Sequence, residues 1–154
     1  MSTYATRRMG RSRGFTLMEL MVTLVVGAIL VTIAVTTYTN QVRKSRRTEA
    51  KTAVLDLAGR EERNYSTSNT YVAVPASLGY TGAAFPIVVG SGYYSVNVAV
   101  VAAAPGVPAT FTITATPIGD QANDTNCASF TVTDQGVQSA LDSGGADATT
   151  NCWR

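Results

Sequence analysis

The stretch GFTLMELMVTLVVGAILVTIAV, residues 14–35, decides how the rest of this chain is organised. It is apolar almost throughout, and its one charged residue is Glu19. As a helix, this segment reaches roughly 31 Å, about the thickness of the hydrocarbon core of a bilayer. A carboxylate near the centre of such a helix costs about 2.5–3.5 kcal/mol, less toward its end, so Glu19 predicts a function and a partner rather than solubility.

Two interpretations of this segment stay open on composition alone. A secretory signal peptide also carries a basic region followed by an apolar one, but its apolar region is about 7–15 residues long. The run here is longer, and no clear small-x-small cleavage site follows it. The other interpretation places the cut between Gly14 and Phe15, so that residues 1–14 are a leader and the helix stays on the mature protein. Four basic residues precede the segment: Arg7, Arg8, Arg11 and Arg13.

The string GFTLME, residues 14–19, resembles the processing site of type IV prepilins. The resemblance implies that a membrane peptidase cuts after Gly14 and methylates the new N-terminal amine of Phe15. It also implies that Thr16 and Glu19 serve subunit assembly, with Glu19 near the N-terminal amine of a neighbouring subunit. The physical reason is that an amine and a carboxylate, each costly in an apolar bundle core, neutralise one another there.

The helix is predicted to continue to about Arg63, because residues 28–58 contain neither proline nor glycine. Its second half is amphipathic, which predicts a face that packs on a downstream element. Pilins often carry a proline near the end of the apolar run, and Thr36 stands there in this chain, so the resemblance leaves melting of the helix on assembly in doubt. The apolar stripe is Ala50, Ala53, Val54, Leu57 and Ala58, and the other faces carry Arg46, Lys51, Asp56, Arg60 and Glu61.

Residues 64–154 are predicted to form a globular head. Turn chemistry marks residues 64–80 as a connecting loop, and from Tyr93 onward apolar residues alternate with polar ones, which predicts about four antiparallel strands. The sheet face and the helix stripe need each other, since neither is buried alone. The expected fold is therefore α+β, a long N-terminal helix (residues 15–63) packed on an antiparallel sheet. The expected anchors of the loop are Tyr65, Tyr71, Leu78 and Tyr80.

The head also carries Cys127 and Cys152. Two free buried thiols are one interpretation, and in an exported chain an even number of cysteines favours a disulfide. The segments YYSVNV (93–98), FTITATPIGDQAND (111–124) and TVTDQGV (131–137) are similar to the heads of PilE-type pilins, which are often minor pilins. That resemblance implies the type IV pilin fold, with a disulfide-closed loop over residues 127–152 at the filament surface.

Catalytic chemistry is not expected. The chain contains no histidine, which excludes a histidine-based triad and histidine metal ligands. No acidic pair or glycine-rich phosphate loop is evident, so we expect no enzyme activity, no cofactor and no metal site. The oxygen-rich run of residues 120–126 is more typical of a polar turn than of a Ca²⁺ loop, because no bidentate glutamate follows at the required spacing.

Charge is divided sharply along the chain. Residues 43–63 hold seven of the eight basic residues that follow the leader, whereas residues 64–154 hold five aspartates and one arginine, Arg154. The basic cluster, Arg43 to Lys51, has three interpretations: contact with lipid phosphates, pairing with acids on neighbouring subunits, or contact with DNA. Because phosphate contacts need accessible Lys or Arg, an acidic head makes DNA a disfavoured partner.

The function implied by the resemblance is a structural subunit of a type IV pilus, serving adhesion, twitching motility or DNA uptake. Expected partners are other pilin subunits, the prepilin peptidase, the membrane and an inner-membrane assembly platform. The chain would lie in the bacterial inner membrane before assembly and in the extracellular filament afterwards. The alternatives are a DNA-binding or adhesive tip pilin, and a pseudopilin of a type II secretion system.

Overall fold

The computed structural model describes residues 14–154, so the predicted leader up to residue 13 lies outside the described residues. A single helix, α1, spans Leu17–Ser68 and continues through residue 36 without a break. The helix was predicted to end at about Arg63, and this prediction was wrong. The residues that follow are rich in Ser, Thr and Asn, which suggested a loop. The hydroxyl groups of Ser66 and Ser68 donate to backbone carbonyls one turn earlier, which lets the helix continue until Asn69 turns left-handed with φ = 53°.

The chain divides into two compact units, one ending at Thr39 and the other comprising Asn40–Arg154. In the second unit, α1 buries the predicted apolar stripe. Ala50, Val54 and Leu57 are fully buried in the core, and Ala53 and Ala58 are partly buried against it. The sequence-based prediction of this helix face is therefore confirmed.

The predicted polar face of α1 was wrong at Glu61. It was placed on the outer surface because it is charged, yet its side chain is 0% exposed. It follows Leu57 by one helical turn, and residues four apart share a face, so Glu61 extends the buried stripe. Periodicity located this position correctly, whereas the residue type misled the assignment.

The sheet is an antiparallel meander of five strands in the order β1-β2-β3-β4-β5. The prediction of about four strands missed β1, which has only three residues. Edge strands this short carry too little alternation to be recognised by pattern. The strands are β1 (Ile87–Val89), β2 (Tyr94–Val101), β3 (Thr110–Pro117), β4 (Ser129–Thr133) and β5 (Gln138–Leu141).

Register places the apolar residues of the long strands on one face. Val96 pairs with Ala115, and Val98 pairs with Ile113, and all four are buried beside the helix stripe in a single core. The alternation of apolar and polar residues along β2 and β3 thus gives one packed face. Short 3₁₀ turns at Pro75–Leu78 and Gly119–Asn123 and a final helical turn, α2 (Thr149–Cys152), complete the unit.

The loop between α1 and β1 is held to the core by its aromatic residues, as predicted. Tyr71 stacks on Tyr65 and meets Phe111 edge-on, with ring centroids 4.5 and 4.8 Å apart. Leu78 is buried, and the Tyr80 hydroxyl donates to the Asp56 carboxylate at 2.6 Å. The loop is therefore packed against the helix and the sheet rather than free.

Candidate functional sites

The first turn of α1 is built on Thr16 and Glu19. The Glu19 backbone N–H donates to the Thr16 hydroxyl oxygen at 3.2 Å, so Thr16 caps the helix. A Thr followed three residues later by Glu is the spacing of a capping box. The Glu19 side chain is exposed, and no basic group within residues 14–154 lies at ion-pair distance from its carboxylate. The expected roles of both residues in subunit assembly stay predictions.

The apolar side chains in the first half of α1 are exposed to solvent in the single chain. Phe15, Leu17 and Met18 are each at least 75% exposed, and the described residues contain one helix that is long and apolar enough to cross a membrane. The hydroxyl groups of Thr23 and Thr32 donate to carbonyls of the preceding turn at 2.9 Å. These bonds satisfy the polar groups internally, which suits the segment to a bilayer or to the core of a filament.

The predicted disulfide is present. Cys127 and Cys152 are bonded, with Cα atoms 5.9 Å apart, and both residues are buried. The bond joins the segment before β4 to α2. Trp153 holds the same end of the chain, since its indole N–H donates to the Ser139 carbonyl at 2.9 Å and its ring meets Phe130 edge-on.

The basic cluster of α1 is divided between paired and unpaired residues. The Arg47 guanidinium forms two hydrogen bonds of 2.7 Å with the Asp124 carboxylate, and both side chains are largely buried. The guanidinium carbon of Arg46 lies 3.5 Å from the centre of the Tyr93 ring. Lys44 is exposed, and within the described residues no acid pairs with it or with Arg43. Part of the cluster thus holds the head to the helix, and part faces solvent.

Two residues of the 120–126 run, considered above as a Ca²⁺ loop, are bound to other parts of the fold. The Asp124 carboxylate is bound to Arg47, and the buried Gln121 side-chain N–H group lies 3.0 Å from the Tyr94 hydroxyl and 3.1 Å from the Arg43 carbonyl. These contacts join the loop to α1 and β2. Sequence reasoning missed them because they connect residues between 27 and 78 positions apart.

Glu61 is a third buried polar residue, after Gln121 and Asp124, whose contacts sequence reasoning missed. One carboxylate oxygen accepts the Val72 backbone N–H at 3.1 Å, and the other has no hydrogen-bond partner. Burial raises the pKa of Glu61, the hydrogen bond from Val72 opposes this, and the neighbouring Glu62 raises it further. The acid therefore fixes the loop after α1 to the helix, with an energetic penalty whenever it is ionised.

We expect Glu61→Gln to change how stability depends on pH. A carboxyl whose pKa is raised in the folded state contributes stability that is fully present below its ordinary value of 4.5 and is lost as pH rises through the folded pKa. Each tenfold change in proton affinity corresponds to about 1.4 kcal/mol. A glutamine side chain cannot ionise, so the variant should gain stability relative to the native chain as pH rises from about 4 to 8.

Denaturant unfolding of the full chain in detergent at several pH values measures this difference. Asp120→Asn is the control, because Asp120 is an exposed carboxylate that does not contribute to the pKa shift of Glu61. An identical pH dependence for Glu61→Gln and the native chain would show that Glu61 does not titrate in the folded state.

Comparison with known families agrees with this arrangement. The family described as "Type IV minor pilin ComP, DNA uptake sequence receptor" matches residues 36–131, and the prokaryotic N-terminal methylation motif matches residues 9–35. A type IV pilin from Shewanella oneidensis is 24% identical, with a TM-score of 0.43 over 62% of this chain and 89% of that one. No curated protein matches the chain.

The first of these family matches covers the second half of α1 and the sheet as far as the middle of β4, more than half of the chain. The methylation motif covers the segment that was predicted to be processed and embedded in a membrane. The long helix packed on an antiparallel sheet is the type IV pilin fold, and pilins are structural proteins. The chain belongs to the family of the type IV minor pilin ComP, and it is a type IV pilus subunit.

Proposed function

We propose that this chain is the minor pilin that captures DNA for a type IV pilus. The observation that carries the proposal is the family match over residues 36–131, since the family is described as a receptor for DNA uptake sequences. The chain would be cut after Gly14, methylated on Phe15, held in the inner membrane by residues 15–35 and built into the filament through Thr16 and Glu19. The methylation motif and the exposed apolar half of α1 support these steps.

An acidic head was the argument against DNA as a partner. The distribution of charge on the folded unit weakens that argument. The objection rested on a division at residue 64, but the compact unit begins at Asn40 and includes the basic half of α1. That unit carries eight basic and nine acidic residues. Two of the nine acids are unavailable to repel a ligand at the surface, since Asp124 is bound to Arg47 and Glu61 is fully buried.

Deletion of the gene tests the proposal. Cells that lack this chain should still assemble pili, because a minor pilin is not the bulk of the filament, but they should not take labelled DNA into a nuclease-resistant state. Uptake should return when the native gene is restored. Normal uptake in the deletion strain would contradict the proposed function.

The predicted processing has its own measurement. Mass spectrometry of the chain from sheared pili should find an N-terminus at Phe15 that carries one methyl group. An intact leader on the chain from sheared pili, or a mature N-terminus beyond residue 34, would contradict the predicted cut. The second of these results would favour a signal peptide.

A further inference from the structure

Positive charge on the described residues is restricted to two places. Within residues 14–154, every Lys and Arg lies on α1 between residues 43 and 63, except Arg154 at the end of the chain. Three of the arginines on α1 already have protein partners, namely Arg46 on the Tyr93 ring, Arg47 on Asp124 and Arg60 on Asp56. Any surface of these residues that attracts a polyanion must therefore use the remaining cations. These are Arg43, Lys44, Lys51, Arg63 and Arg154.

Four of these five cations line a pair of adjoining cavities, which we call the trough. Two adjoining cavities, of about 410 and 250 Å³, share Lys44 and Arg47 on the floor formed by α1. Arg43 lines the first cavity, and Lys51 lines the second together with Arg154. The walls beside α1 are residues 123–126 for the first cavity and residues 151, 152 and 154 for the second.

Cations outnumber acids in the trough, where Asp124 is the lining acid and is bound to Arg47. Burial lowers the pKa of Lys51, and the nearby charges of Arg47 and Lys44 lower it further. The Lys51 ammonium donates to a main-chain oxygen of Arg154 at 2.8 Å, and no Asp or Glu side chain among residues 14–154 lies at ion-pair distance from it. The exposed Thr125 and Asn126 add neutral polar groups along one wall. An anion in the trough would relieve the repulsion among its cations.

Both walls are held in place by the fold. The Cys127–Cys152 disulfide directly joins the end of one wall to the other, and the bond from the Trp153 indole to Ser139 fixes the last residues of the chain. Lys44 and Lys51 are seven positions apart on α1, which corresponds to roughly 10 Å along the helix. Two cations at that separation can contact different phosphates of one DNA strand.

We propose that this trough binds consecutive backbone phosphates of one DNA strand, with Arg43, Lys44, Lys51 and Arg154 as the contacting cations. The inference rests on the proposed function and gives it a location. Phosphate contacts supply affinity and register without reading bases, so the trough accounts for general DNA binding rather than for the choice of sequence. A concave site with two protein walls fits a strand better than it fits a flat bilayer surface.

The test compares DNA binding by the full chain in detergent micelles, using a short duplex of mixed sequence over a series of salt concentrations. Each phosphate contact contributes about 0.9 to the slope of log affinity against log salt. The double variant Lys44→Gln/Lys51→Gln should therefore lower that slope by about 2 and weaken binding roughly tenfold or more at low salt, equally for all sequences.

Arg63→Gln is the matched control, since it removes an exposed unpaired cation of α1 outside the trough. It should leave the affinity and the salt slope almost unchanged. The single variant Lys44→Gln tests the site even if the double variant does not fold, because Lys44 is exposed. It should lower the salt slope by about 1.

Three results would overturn the proposal, and they differ in what they say about function. If the native chain does not bind DNA, the proposed function fails with it. If the native chain and the double variant bind equally with the same salt slope, the function stands and the trough is not the phosphate site. If the double variant binds DNA normally but is lost from sheared pili, the cations pair with acids on a neighbouring subunit instead.

Discussion

Glu19→Ala should leave the chain in the inner membrane and largely exclude it from the filament. Removing a carboxylate from the apolar half of α1 lowers the energetic cost of insertion, so membrane association should persist or improve. In an assembled filament, the same change would leave the N-terminal amine of a neighbouring subunit without its partner. Breaking a buried pair of this kind costs about 3–5 kcal/mol, which corresponds to a loss of incorporation between about a hundredfold and a few thousandfold.

The measurement is the ratio of the chain in sheared pili to the chain in membranes, for the native protein and for each variant. Glu19→Gln keeps the size of the side chain and removes its charge, so it should fail in the same way. Thr23→Ala is the matched control, because the Thr23 hydroxyl is already satisfied by the Leu20 carbonyl within α1. Equal incorporation of Glu19→Ala and the native chain would show that the charge pair is dispensable for assembly.

The predictable parts of this fold are those that a local pattern encodes. The spacing of Ala50, Val54 and Leu57 gave the buried face of α1, and the alternation along β2 and β3 gave the inner face of the sheet. The end of α1 and strand β1 were missed. In the first case, hydroxyl groups that suggest a turn are satisfied within the helix, and in the second, three residues are too few to show a period.

The candidate sites likewise include some that a local pattern encodes and some that distant segments form together. The string of residues 14–19 could be recognised from sequence because its residues are adjacent, whereas the pairing of Arg47 with Asp124 connects distant segments and has no local signature. Charge counting along the chain misses contacts between distant residues for a related reason. It assigned Arg43 to Lys51 to the helix and the aspartates to the head, but folding brings both into one unit, where Asp124 and the basic residues line the same trough.

Asp124→Asn should strongly destabilise the compact unit that begins at Asn40. Asp124 is 3% exposed and Arg47 is 13% exposed, so the guanidinium would be left buried without a counter-ion. Removing one partner of a buried ion pair costs about 3–5 kcal/mol, and the small exposure of Arg47 places this case near the lower figure. Because a domain of this size is stable by only about 5–15 kcal/mol, the variant should unfold at a clearly lower denaturant concentration.

A second substitution distinguishes an uncompensated charge from a general loss of packing. Arg47→Met in the Asp124→Asn background removes the buried cation and keeps an apolar stem of similar length, so much of the lost stability should return. Asp120→Asn is the control, because Asp120 is an exposed carboxylate in the same loop, and it should stay within about 0.5 kcal/mol of the native chain. Denaturant unfolding of the full chain in detergent, followed by circular dichroism, measures all four proteins. If the double variant were as unstable as Asp124→Asn alone, the ion pair would not be what joins the 120–126 loop to α1, and the hydrogen bonds of Gln121 to Tyr94 and the Arg43 carbonyl would have to carry that contact.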